Sequence, residues 1–215
     1  MALKNQITRF VLSFSLLLFT MTSLLLNPVS ALAMSNYAVM PTFTSFSKTV
    51  ENGEANVLRG VYVSNVLALP VVQQPSKNAG YVSKKDGVAT QFRMASQFGN
   101  LGLLAHNHLA GKSFSELAVG QEVRLVYGDG HVEYFVIKEV LKYQALQPNN
   151  PYSSFHNLSA NETLTAEQMF KRVYFGDRHV TFQTCIAAEG NPSWGRLFVI
   201  AIPKSDFSNI SQLQN

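Results

Sequence analysis

Apolar positions along the chain fall into two regimes: a nearly unbroken run from Phe10 to Leu26, and, from Val57 onward, short β-branched and aromatic bursts separated by turn residues. The second regime is how strands are written. Leu58 to Val63 and Val66 to Val72 form the first predicted pair, and Pro70 makes the second an edge strand or one that ends in a bend. Thr90 is expected to cap a short helix whose apolar side is Phe92, Ala95 and Phe98, ended by Gly99-Asn100. Leu101 to Ala105 reads as a buried strand leading directly into His106-Asn107-His108. Glu122 to Tyr127 and His131 to Leu141 flank Gly128-Asp129-Gly130, which predicts a hairpin with a bulged turn. In that hairpin Val123, Leu125 and Tyr127 should share one face, as should Tyr134, Val136 and, beyond Lys138, Val140.

Further on, Gln147-Pro-Asn-Asn-Pro151 predicts a surface loop, and Thr165-Ala-Glu-Gln168 is a capping box opening a helix from Ala166 to about Tyr174. Two closing strands follow, His179 to Ile186 and Leu197 to Ile202, joined by a loop from Ala187 to Arg196. Many short strands with brief helices define a mostly β fold, either a barrel or a sandwich. A length of 215 residues suits one domain. The expected layout is a leader signal over 1–33, a flexible leader over 34–55, the β-domain over 56–204 and a tail over 205–215.

The first 33 residues hold no acidic side chain, place Lys4 and Arg9 ahead of the apolar run, and end Pro28-Val-Ser-Ala-Leu-Ala33. That order is a secretory signal, with cleavage expected after Ala33. The run is shorter than the roughly 20 residues that span a bilayer and is broken by Ser13, Ser15, Thr20, Thr22 and Ser23. Left uncut, Val11 to Ala33 would be the chain's membrane contact, so the protein is expected to be secreted or anchored outside the cytoplasm. Without Lys4 and Arg9 the formal charge falls from +4 to +2, and no run of Lys or Arg remains. Nucleic acid is therefore not an expected partner.

Export sharpens the meaning of the single cysteine, Cys185, because secreted chains of this size ordinarily carry paired cysteines or none. It is either a buried core thiol or a nucleophile. As a nucleophile at a strand end it needs a proton acceptor and a donor for the oxyanion. Of the five histidines, His131 sits beside a turn, His156 lies in a polar loop, and His179 stands about 20 Å down the predicted strand from the thiol. His106 and His108, at the exit of a buried strand, are the candidate bases. Two imidazoles at this spacing also suit zinc, but no third ligand stands at motif spacing, so no metal or other cofactor is expected. Arg196, directly after Trp194-Gly195, is the candidate cation: a guanidinium keeps its proton and donates to two carbonyl oxygens at once.

The order of these residues resembles the sortase family. Thr181-Phe-Gln-Thr-Cys185 is similar to the sortase signature of Thr, an apolar residue, any residue, then Thr-Cys, with Phe182 where Leu is usual. Arg196-Leu-Phe-Val-Ile-Ala201 resembles the arginine-led strand that closes the sortase barrel, and Leu103-Leu-Ala-His106 resembles the family's strand ending in the catalytic histidine. The resemblance runs from about Leu58 to Pro203. It implies a closed antiparallel or mixed β-barrel of about eight strands with short helices in the connections. It also selects His106 over His108 and implies a cysteine transpeptidase that cleaves an LPxTG-like motif after Thr. In that reading Cys185 forms a thioacyl enzyme, His106 exchanges protons with the leaving and entering amines, and Arg196 holds the oxyanion. Thr184, Trp194 and His108 are assigned to substrate binding. The implied partners are a protein bearing a C-terminal sorting motif and an amine acceptor, a cell-wall precursor or a pilin-like lysine. A cysteine hydrolase of the same fold and a non-catalytic secreted peptide-binding module are the alternatives.

Overall fold

The computed structural model describes residues 40–213, so the predicted signal over 1–33 lies outside the described residues. Ten strands build the domain: β1 (Leu58–Val63), β2 (Leu67–Gln73), β3 (Ala89–Phe92), β4 (Leu101–Leu104), β5 (Glu122–Tyr127), β6 (Val132–Ala145), β7 (Phe155–Asn157), β8 (Thr163–Leu164), β9 (Val180–Ala188) and β10 (Asn191–Pro203). Their order is β10-β9-β4-β3-β2-β1-β5-β6-β7-β8, and β10 also pairs with β6. That extra pairing closes eight strands into a barrel and leaves β7 and β8 as a short extension from β6. The barrel is mixed, because β2 with β3 and β4 with β9 run parallel while the other neighbours run antiparallel.

Inward-facing side chains of these strands fill the barrel. Val61, Leu103, Leu125, Ile137, Phe182 and Val199 are fully buried in one cluster. Phe114, from a 3-10 helix over Ala110–Glu116, plugs one end edge-on to Phe182 at 5.1 Å. Each such side chain contributes about 1.5–3 kcal/mol by leaving water.

The outer surface differs from the expected flexible leader over 34–55. Phe43–Val50 is a helix, α1, capped by the Thr42 hydroxyl, which accepts from the Ser45 amide at 3.2 Å. Phe46 and Val50 pack on Tyr62 and Val126, and a Cβ on Gly60 would lie 2.9 Å from Val50, so glycine there lets the helix settle. The Ser/Thr-rich composition hid Phe43, Phe46 and Val50, whose i, i+3, i+7 spacing is helical.

Three further expectations shift. Thr90 is not a helix cap but a buried residue of β3 that accepts from the Ser83 amide at 2.8 Å; only Arg93–Ser96, α2, turns helical after it. Tyr134 and Val136 do not share a face with Val140, because the β6–β10 register passes from Ile137 to Glu139 and leaves Lys138 as a bulge. Phe135, Ile137 and, past the bulge, Val140 therefore turn inward, and Tyr134 is exposed. The predicted loop from Ala187 to Arg196 is mostly strand, since β9 and β10 meet in a tight turn where Glu189 (φ 52°) and Gly190 (φ 73°) are both left-handed. Pro70 lies where β2 has β1 alone as a neighbour, since β3 joins only from Val71.

The capping box forms as expected and opens α3 over Ala166–Tyr174. A last helix, α4, covers Lys204–Leu213. No helix among the described residues is long and apolar enough to cross a membrane.

Candidate active site

Strand β9 lies between β4 and β10, and the candidate residues come from these three strands. Val180 and Phe182 face the core, so Thr181, Gln183 and Cys185 share the outer face. Thr181 and Gln183 lie beneath α3: the Thr181 hydroxyl donates to the Val173 carbonyl at 2.6 Å, and the Tyr174 hydroxyl donates to Gln183 Oε1 at 2.5 Å. Cys185, the next outer position, is half-buried. Directly opposite it on β10 stands Arg196, and beyond Arg196 on β6 stands Tyr143, so the three form one row on one face. Directly paired side chains have Cβ atoms about 4.5–5.5 Å apart, which puts the guanidinium within reach of a group bound at the thiol. Arg196 is inside the strand rather than at its start, and the bulge between Asn191 and Gly195 aims its side chain. Its Nη1 donates to the Ser193 carbonyl at 2.9 Å and to the Gly195 carbonyl at 2.8 Å. Among the described residues no carboxylate pairs with it.

On the other side of β9, β4 ends at Leu104, and the Ala105 amide continues the ladder to the Gln183 carbonyl at 3.3 Å. Thr184 is buried, and its hydroxyl donates to the Ala105 carbonyl at 2.8 Å, fastening the residue before His106 to the residue before Cys185. The chain then leaves the strand. The His106 carbonyl accepts from the Leu109 and Gly111 amides, both at 3.0 Å, and the 3-10 helix starts. A Cβ on Gly111 would collide with the Thr184 hydroxyl and sit 2.7 Å from the His106 carbonyl oxygen, so only glycine closes this turn. Because the strand does not continue through 106–108, His106 and His108 are turn residues with ring centroids 5.6 Å apart. Asn107 Nδ2 donates to the Pro192 carbonyl at 2.9 Å and ties this turn to the arm that carries Arg196.

Two grooves flank the constellation. One, of about 330 Å³, is lined by Cys185 and Thr184, by apolar Leu158, Ile186 and Leu197, and by Lys112 and Lys142. The other, of about 480 Å³, is lined by His106 with Tyr81, Ser83, Lys84 and Lys85 from the connection between β2 and β3. Asn107 lines the first and His106 the second, so the grooves adjoin at this turn. Neither is lined by Arg196, Trp194 or His108. Trp194 has a buried indole N–H with no hydrogen-bond partner among the described residues. His179 stays apart: it is buried, with ring nitrogens 2.7 Å from the Asp177 carbonyl and 2.9 Å from the Val173 carbonyl. No group of three or more His, Cys, Asp or Glu side chains among the described residues is placed to hold a metal ion.

Gly111, Asn107 and the groove lysines escaped the sequence reading. Isolated small, amide or basic residues carry no pattern, and the contacts of Asn107 and Gly111 depend on a turn that becomes visible only once β4 stops at Leu104.

No protein-family model matches the chain, and no curated protein matches it. Solved structures similar to it include sortases. Sortase A of Listeria monocytogenes is 15% identical, with 69% of this chain and 87% of that chain covered and a TM-score of 0.42. A sortase D5 transpeptidase of Clostridium perfringens is 14% identical (76% and 89% covered, TM-score 0.43), and sortase C1 of Streptococcus suis is 12% identical (74% and 76%, TM-score 0.46).

Proposed function

We propose that this chain is an extracytoplasmic cysteine transpeptidase that cleaves an LPxTG-like sorting signal after Thr and transfers the acyl group to an amine. The observation that carries this reading is the direct pairing of Cys185 with Arg196 on β9 and β10, with His106 leaving the neighbouring strand on the other side of β9. In this reading the nucleophile and the cation for developing oxygen charge are neighbours on β9 and β10, and the proton carrier follows the end of β4.

The Cys185 thiol gives its proton to His106 as its sulfur adds to the scissile carbonyl carbon, the C=O electron pair moves to oxygen, and Arg196 donates to the resulting oxyanion. A guanidinium has five N–H donors, and the bonds to Ser193 and Gly195 both start from Nη1, so Nε and Nη2 serve the substrate. Collapse breaks the C–N bond, and the leaving amine takes the proton held by His106, leaving a thioester on Cys185. An entering amine gives its proton to His106, forms the new C–N bond and releases the sulfur. Thr184 acts in this scheme by holding β4 to β9 through Ala105, rather than by offering its hydroxyl proton to substrate.

A fluorogenic peptide containing an LPxTG-like motif tests the reading. Cleavage that disappears in Cys185→Ala supports it; cleavage at the parental rate in that variant refutes it.

A further inference from the structure

The two grooves are walled by cations and by no acid. No Asp or Glu lines either one, whereas Lys84, Lys85 and His106 line the second and Lys112 and Lys142 the first. Lys84, Lys85 and Lys142 belong to no ion pair among the described residues, and Lys112 meets Asp86 only at 3.8 Å. Away from the grooves several basic side chains pair with acids, among them Arg172 with Glu139 and Arg178 with Glu133.

The wall that presents Lys84 and Lys85 is held from beneath. Gln74, itself buried, donates from Nε2 to the Ala79 carbonyl at 2.9 Å and to the Tyr81 carbonyl at 3.0 Å. The Ser83 amide donates to the buried Thr90 hydroxyl at 2.8 Å, and the Lys85 amide donates to Ser83 Oγ at 3.2 Å. These contacts fix the backbone that leads up to the two lysines beside the His106 groove.

Resting on the transpeptidase reading, we infer that the His106 groove is the entry site for the amine acceptor, and that this acceptor carries an anionic group near its amine. The acyl donor must occupy the groove that contains the Cys185 sulfur. The entering amine must reach His106, and the groove lined by His106 without Cys185 offers it an approach separate from that of the acyl donor. There Lys84 and Lys85 attract a carboxylate or phosphate and repel an acceptor that is cationic throughout. The source of the negative charge, a free carboxylate or a phosphate ester, is distinguished by the choice of amine.

The test compares two amines that carry an anionic group with one that does not. Triglycine, triglycine amide and 2-aminoethyl phosphate are titrated into full-length Cys185→Ala protein, and the His106 ring signals are followed by NMR. The same amines then compete for the thioacyl enzyme of the parental protein, with ligated products counted by mass. The inference expects triglycine or the phosphate amine to bind and react about fivefold better than triglycine amide at low salt, with the advantage shrinking as salt is added. In a Lys84→Glu/Lys85→Glu variant the ratio of acidic to neutral amine falls to one or below. A stronger carboxylate effect identifies the first source, and a stronger phosphate effect the second. Equal binding of acid and amide, or a preference that persists in the double variant, overturns the inference. The NMR arm needs no thioacyl enzyme, so failure of the transpeptidase reading, seen as no adduct on Cys185, is recognised separately.

Discussion

The Thr184 hydroxyl donates to the carbonyl of Ala105 across 79 residues of chain, so the residue before the thiol holds the residue before the imidazole. The two candidate catalytic residues thus hang from one buried hydrogen bond. This makes Thr184 a positioning residue, and its replacement should change geometry more than affinity.

In Thr184→Val the Ala105 carbonyl loses its donor inside the barrel, which costs about 1–3 kcal/mol of stability. Turnover on the test peptide should fall about tenfold to a hundredfold with KM nearly unchanged, because the reacting groups drift while the groove persists. Thr184→Ser, which keeps the hydroxyl, should restore most of the rate. Steady-state kinetics of the two variants decide between positioning and substrate contact.

Gly111→Ala should act on the same joint from the opposite side. The added methyl meets the Thr184 hydroxyl and the His106 carbonyl, both tied to backbone. A loss of about 1–3 kcal/mol in urea unfolding is expected, together with reduced turnover. A variant as stable and active as the parent would show that the turn after His106 is looser than described.

Arg196→Lys keeps the charge but not the fork of donors, and at this position the exchange is not conservative. A fall in kcat of about a hundredfold is expected, the size seen when an oxyanion donor is removed. Acyl transfer measured on the same peptide tests it, with circular dichroism confirming that the β9–β10 arm is retained.

The hairpin end of the barrel supplies a pH prediction. Tyr127 is buried beside the Glu133 carboxylate, to which its hydroxyl donates at 3.0 Å, and burial followed by that negative charge pushes its pKa up to about 12. The folded state thus keeps a proton that the unfolded chain releases near pH 10. The stabilisation is complete below pH 10 and is lost as the pH rises toward 12. The urea midpoint of the parent should drop over this window, and Tyr127→Phe should flatten that part of the curve.

Much of the fold and the residues of the candidate site were legible in the chain, and what was not legible has physical causes. The Thr165 capping box, the β5–β6 hairpin and the strand before His106 were visible because each depends on neighbours in sequence. Thr90, α1 and Lys138 were not. Thr90 is held by a partner seven residues away, α1 exists because Phe46 and Val50 find Tyr62 and Val126, and the Lys138 bulge answers the register of β10. Arg196 was expected to emerge next to the strand that carries Cys185, but its direct pairing with Cys185 inside β10 needed the tight Glu189-Gly190 turn, which a glycine- and proline-bearing sequence reads as loop.

The central claim is that Cys185 carries the acyl group. Intact-mass measurement of the protein quenched in acid during turnover of a sorting-signal peptide tests this most directly. The account predicts an adduct of the acyl fragment's mass, mapped to Cys185, lost on adding triglycine as ligated peptide accumulates, and absent in Cys185→Ala. Peptide cleavage without any adduct on Cys185, or an adduct on another residue, would contradict it.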